Sequence, residues 1–140
     1  MLDIDSKVLK YLNKNPKQKV GDIARKIGLA HSTIGSSVKR LEKENLVKYE
    51  RYGMVELTKK GKNLTNELYR HARLLELLLY NELGITAEQA HQESEKFNLL
   101  FSCKTINKIC EKYDHPKRCP CGDIIDNSPN CFCEEYTRVL

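Results

Sequence analysis

The residues best equipped for chemistry are six cysteines, all placed after residue 100. Four form two C-x-C pairs, Cys119-Pro120-Cys121 and Cys131-Phe132-Cys133, with nine residues between them. Gly122, Asp126, Asn127, Pro129 and Asn130 surround these pairs, so the segment reads as a loop with almost no apolar core. Four thiolates on one ion would order such a loop. The spacing differs from the C-x-x-C pairs of zinc ribbons, and an iron–sulfur cluster also takes four thiolates, so Zn²⁺ and Fe–S both stay open. A tail with idle thiols is the plain alternative. Cys103 and Cys110 stand seven apart on one helical face and are either additional ligands or core residues. The N-terminus, M-L-D-I-D-S-K, has no signal-peptide pattern, so a cytoplasmic location is expected. The reducing conditions there favour ligation over disulfides.

A second group of polar side chains lies near the N-terminus. His31, Ser32, Thr33, Ser36, Ser37, Lys39 and Arg40 are expected to point outward from one helix. Hydroxyls and bases on one face suit the major groove of double-stranded DNA, where base edges offer donors and acceptors between phosphate rims. Lys48, Arg51 and Tyr52 fall on a following hairpin, placed to touch the backbone or the minor groove. Alone, such faces would be solvated surface. Their value depends on the elements that carry them.

Those elements are legible. Val20, Ile23, Ala24 and Ile27 repeat at helical spacing, and so do Ile34, Val38 and Leu41, closed by Leu46 and Val47. Gly28 ends the first of these helices, and His31-Ser32-Thr33 offers hydroxyl caps for the second. This is helix-turn-helix spacing. K-Y-E-R-Y, Gly53 and M-V-E-L-T then read as strand, turn and return strand, the wing of a winged helix. An earlier helix, Asp3 to Lys14, carries Ile4, Val8, Leu9 and Leu12 and stops before Pro16. Thr58 caps a long helix through Leu64, Leu68, Ala72, Leu75, Leu78, Leu79 and Leu83, which Gly84 ends. Thr86 caps a helix expected to carry Ala90, Phe97, Leu100 and Phe101, and Ser102 caps another with Ile106, Ile109 and Tyr113.

The expected fold is therefore mostly α. A winged helix-turn-helix over 1–61 precedes a helical dimerisation and metal-sensing domain over 62–114 and a Cys-rich tail over 115–140. The net charge of +5 hides an asymmetry: +8 over residues 1–62 and −3 over 63–140. A basic front half suits a polyanion. The back half has too few elements to enclose its apolar faces, which implies a homodimer matched to two half-sites on an operator. No apolar run approaches the roughly 18 residues of a membrane span.

The order of these elements, with V-G-D-I-A in the second helix, L-T-K-K-G after the wing, R-H-A-R-L-L-E in the long helix and R-C-P-C-G-D-I-I at the end, resembles the DtxR/MntR family of metal-dependent winged-helix regulators. The resemblance covers about residues 1–125, and the family's optional SH3-like domain is not expected in the residues that follow. It implies DNA reading at Ala30, Ser32, Thr33 and Ser36, with Ala30 restricted to apolar contact such as a thymine methyl. It also implies a Mn²⁺ or Fe²⁺ site, and there the chain departs. Asp3 matches the first-helix ligand and Glu95 the first acid of the last run, but the following E-H pair reads Asn98-Leu99. In the long helix His71 is five residues before Glu76, with Ala72 at the matching position. Five residues turn about 140°, so the two do not share a face. An ordinary Mn²⁺/Fe²⁺ site is therefore not expected. His91, Glu93 and Glu95 could form only a weak site, and solvated helix faces explain them as well.

The resulting expectation is a sequence-specific transcriptional regulator, a repressor by analogy, in which a thiolate metal or Fe–S site replaces the usual one. The competing reading is a winged-helix general transcription factor with structural zinc and no effector. A thiol redox enzyme lacks C-x-x-C on a βαβ frame. No triad, P-loop or dinucleotide fingerprint is present, so no enzyme is expected.

Overall fold

The computed structural model describes residues 1–50, 53–96 and 101–126. The chain divides into two compact units, 1–65 and 66–140.

In the first unit, α1 (Asp3–Lys14) places Val8, Leu9 and Leu12 in the core. Asn15 closes it through a backbone bond to Tyr11, ahead of Pro16. A two-residue strand, β1 (Gln18–Lys19), runs directly into α2 (Val20–Ile27). Gly28 ends α2 at φ 80°, a left-handed conformation that favours glycine. The next helix, α3 (His31–Lys43), buries Ile34, Val38 and Leu41. Its N-cap is Ala30, with no side-chain cap, so the hydroxyls of Ser32 and Thr33 are not spent on the helix start. β2 (Val47–Tyr49) and β3 (Met54–Leu57) form the wing, and β3 lies between β1 and β2 in an antiparallel sheet of order β1-β3-β2. β1 was not foreseen. Two residues give no alternation to read, and their pairing, Gln18 with Val55 and Lys19 with Met54, is long-range.

The longest helix, α4 (Lys59–Leu83), begins in this unit. Thr58 Oγ1 accepts from the Gly61 amide at 3.0 Å and donates to the Asn45 carbonyl at 2.7 Å. The Thr58 amide bonds to the Leu46 carbonyl at 3.0 Å. A Cβ at Gly61 would collide with that same carbonyl oxygen. The L-T-K-K-G motif is thus a cap plus a close backbone approach.

In the second unit, Gly84 ends α4 at φ 67°. α5 (Ala87–Ser94) opens with a reciprocal capping box between Thr86 and Gln89, and α6 (Cys103–Lys112) opens on Ser102. α5 ends at Ser94, and the expected core positions Phe97 and Leu100 lie outside the described residues. Leu74 and Leu75 of α4 pack with Ile106, Ile109 and Cys110 of α6. Cys119 and Ile125 complete this cluster, so the described part of the tail contributes to a core instead of forming a coreless loop. Cys131 and Cys133 lie outside the described residues. Among the described residues no helix is long and apolar enough to cross a membrane.

Candidate metal centre and nucleic-acid face

On the first unit, α3 exposes His31, Ser32, Thr33, Ser36 and Lys39, with Ala30 exposed at its cap. His31, Ser32, Ser36, Lys39, Glu42 and Tyr49 line a shallow groove beside the wing. Tyr49 was missed in sequence because a three-residue strand gives too short a pattern to show which face is wet. Lys48 is exposed, and Arg51 and Tyr52 lie outside the described residues.

Ser37 does not stand on this face as expected, and Arg40 is only partly exposed. Three residues after Ile34 the helix has returned to its buried side. There Ser37 Oγ donates to Asp5 Oδ1 at 2.6 Å. Arg40 Nη2 donates to the same oxygen at 2.9 Å, and Nε to Oδ2 at 3.3 Å. Asp5 is buried, and these bonds fasten α1 to α3. Asp3, the position resembling a first-helix metal ligand, is exposed and pairs with Lys7 at 3.2 Å.

On the second unit the ends of α4, α5 and the 117–126 loop converge. Glu76 lies about two turns before Gly84 on α4, His91 lies just over one turn into α5, and the reversal of the chain between them brings the two together. Glu76 is 1% exposed. Its Oε2 is 3.5 Å from His91 Nδ1, and its Oε1 accepts from the Cys121 amide at 3.1 Å. A carboxylate oxygen of Glu76, a ring nitrogen of His91 and Cys121 Sγ all lie within 4.8 Å of one another. The Glu76 carboxylate, ahead of burial, pushes the Cys121 thiol up to about 12. Burial pushes the neighbouring Cys119 thiol up as well, opposed by the amides of Asp123 and Cys121, which donate to its sulfur. Cys119 also touches the Glu76 carboxyl.

The loop that delivers these thiols is tightly held. The Cys119 amide bonds to the Asp123 carbonyl at 2.9 Å, and Gly122 turns the chain at φ 94°, its amide bonded to the Cys119 carbonyl at 2.8 Å. Arg70 Nε reaches the Asp126 carbonyl at 3.0 Å, and Arg73 Nη1 the Ile124 carbonyl at 2.7 Å. Both arginines belong to α4, so the loop is strapped to the helix that carries Glu76.

Of the sequence-predicted donors, Cys121 and His91 therefore come together, with Cys119 beside Glu76 and Glu95 Oε1 3.7 Å from His91 Nε2. Cys110 is buried and faces His115 Nδ1 at 3.4 Å, and Cys103 lies against His71, so neither joins this group. Glu76 was set aside in sequence because its expected helical partner, four residues earlier, is Ala72. The structure supplies a thiol from a distant loop instead.

A protein-family model described as an iron dependent repressor, metal binding and dimerisation domain matches residues 58–127, and a winged helix-turn-helix DNA-binding model matches residues 1–48. The chain belongs to the DtxR/MntR family. Among DtxR/MntR relatives, the iron-dependent repressor IdeR of Mycobacterium tuberculosis is 27% identical over 103 residues, 74% of this chain and 45% of that protein. The chain thus spans about half the length of such curated relatives. Hypothetical protein SSo2273 from Sulfolobus solfataricus superimposes with a TM-score of 0.76 at 30% identity, covering 88% of this chain and 96% of that one. ScaR with bound Zn²⁺ superimposes with a TM-score of 0.75 at 29% identity, covering 88% of this chain and 59% of that one. The family consists of transcriptional regulators and not enzymes.

Proposed function

We propose that this chain is a homodimeric, metal-dependent repressor that binds operator DNA through α3 and the wing and holds its effector cation at Glu76, His91 and Cys121, with Cys119 beside them. The observation that carries the reading is the meeting of a buried carboxylate, an imidazole and a thiol from three separate segments. The donor set fits a cation. A divalent ion would balance the buried Glu76 charge, and the thiol protons would be released on ligation. Thiolate donors favour Fe²⁺, Co²⁺ or Zn²⁺ more than a site of carboxylates and imidazoles alone would. The bound ion supplies charge neutralisation and a cross-link.

The chain's own residues do the rest. Glu76 fixes the Cys121 amide to α4, Arg70 and Arg73 fix the loop ends, and His91 brings in α5. A cation preferring one arrangement of these elements would stabilise one form of the dimerising unit. Only such a preference can alter DNA affinity.

The test is operator selection followed by fluorescence anisotropy, with metal and acid-labile sulfide measured on protein prepared without oxygen. The expected result is metal without sulfide, and DNA binding tightened by metal in the wild type but not in His91→Ala or Cys121→Ser. Equal operator affinity for apo and loaded protein would overturn the sensing role. Stoichiometric sulfide would move the centre to a cluster held by Cys119, Cys121, Cys131 and Cys133.

A further inference from the structure

We propose that Glu67, His71 and the reduced thiol of Cys103 form a second, buried transition-metal site within the helical unit, separate from the Glu76 centre. Glu67 and His71 are four residues apart on α4 and share a face. Cys103 is the first residue of α6 and meets that face. The three are 4%, 1% and 4% exposed.

Their donor atoms converge on one nitrogen. His71 Nε2 is 3.5 Å from Cys103 Sγ and 3.7 Å from Glu67 Oε2, and all three atoms lie within 4.8 Å of one another. Metal–sulfur bonds of about 2.3 Å and metal–nitrogen bonds of about 2.0–2.1 Å at a tetrahedral angle place S and N about 3.5 Å apart. The observed separation matches.

Hydrogen bonding accounts for the His71–Cys103 contact, at 3.5 Å, but not for Glu67. The 3.7 Å separation is too long for one, and buried Glu67 Oε2 has no hydrogen-bond partner among the described residues. A buried carboxyl oxygen without a partner is costly. Burial, partly offset by Arg70, holds the Glu67 carboxyl above its usual range. Burial and then Arg70 push His71 down to about 4. A dication bound there would accept the imidazole nitrogen lone pair and answer the buried, unpartnered Glu67 carboxyl oxygen.

Cys103 is disulfide-bonded in this structure, so the thiolate donor arises only on reduction. A dithiol or phosphine supplies two electrons, two protons are taken up, and the disulfide becomes two thiols. The entering ion then displaces the proton from Cys103. Its position in the first turn of α6, near the positive end of the helix, favours the thiolate. The ligand class is a divalent ion accepting mixed S, N and O donors, such as Zn²⁺ or Co²⁺.

The test is an oxygen-free Co²⁺ titration of the full chain, with and without a phosphine reductant, followed by equilibrium dialysis and near-ultraviolet thiolate-to-cobalt absorption. The reduced wild type is expected to bind one more Co²⁺ per chain than the oxidised one. Cys103→Ser should remove that ion and leave the Glu76-centred one, whereas Cys121→Ser should do the reverse. Glu67→Gln keeps the side-chain shape and should weaken the second site by more than the roughly 10- to 100-fold typical of an outer-shell change. If Cys103→Ser does not fold by circular dichroism, Glu67→Gln decides. Unchanged Co²⁺ stoichiometry on reduction, or unchanged affinity in Glu67→Gln, overturns the site. Loss of no ion in Cys121→Ser counts against the Glu76 centre alone.

Discussion

Asp5 shows how one side chain settles the roles of two others. By composition, Ser37 and Arg40 are DNA-contacting candidates, but Asp5 takes the Ser37 hydroxyl into a buried contact between α1 and α3 and holds Arg40 in a part-buried pair that leaves its side chain 41% exposed. Replacing Asp5 with Ala would leave the Ser37 hydroxyl buried without its partner and release Arg40. A loss of about 2–3 kcal/mol is expected, read as a lower urea midpoint at unchanged m-value. Ser37→Ala removes the donor and should cost about 1 kcal/mol with little effect on DNA binding. Lys39 is the contrasting case, exposed in the groove on α3. Lys39→Ala should weaken binding to all DNA sequences alike and reduce the slope of log affinity against log salt by about 1. Ser32→Ala should instead change which sequences bind.

At the scale of elements, the legible features were those with a local cause. α1 ends where its period and Pro16 agree, α4 begins and ends where period, the Thr58 cap and Gly84 agree, and the caps at Thr86 and Ser102 are used. Ala30 at the start of α3 was not legible, because hydroxyl residues next to it advertise a cap that the helix does not use. β1 exists only through its partner β3. The meeting of Glu76 with Cys121 spans 45 residues and has no local sign. The approach of α4 to Leu46 gives a sharp expectation. Gly61→Ala should destabilise the winged unit by about 1–3 kcal/mol through overpacking against a backbone carbonyl. Thr58→Ala should cost about 1 kcal/mol through the lost cap. Both are measurable by chemical denaturation.

For the whole molecule, charge and contact organisation point the same way. Residues 1–62 carry +8, the sign that suits a polyanion, while the back half, at −3, carries the two groups of candidate metal donors found among the described residues. Sedimentation should show a dimer, and raising salt should weaken DNA binding without dissociating that dimer, because apolar contacts are screened little. The division at residue 65 has a consequence in time. During synthesis the first unit has all its partners once residue 65 has emerged, whereas the Glu76 group waits for Cys121. At about 5–20 residues per second that interval lasts about 3–11 s. For those seconds each nascent chain carries all of the winged unit and no assembled Glu76 group, and any proteolytic remnant cut near the same point would stay in that condition for its lifetime.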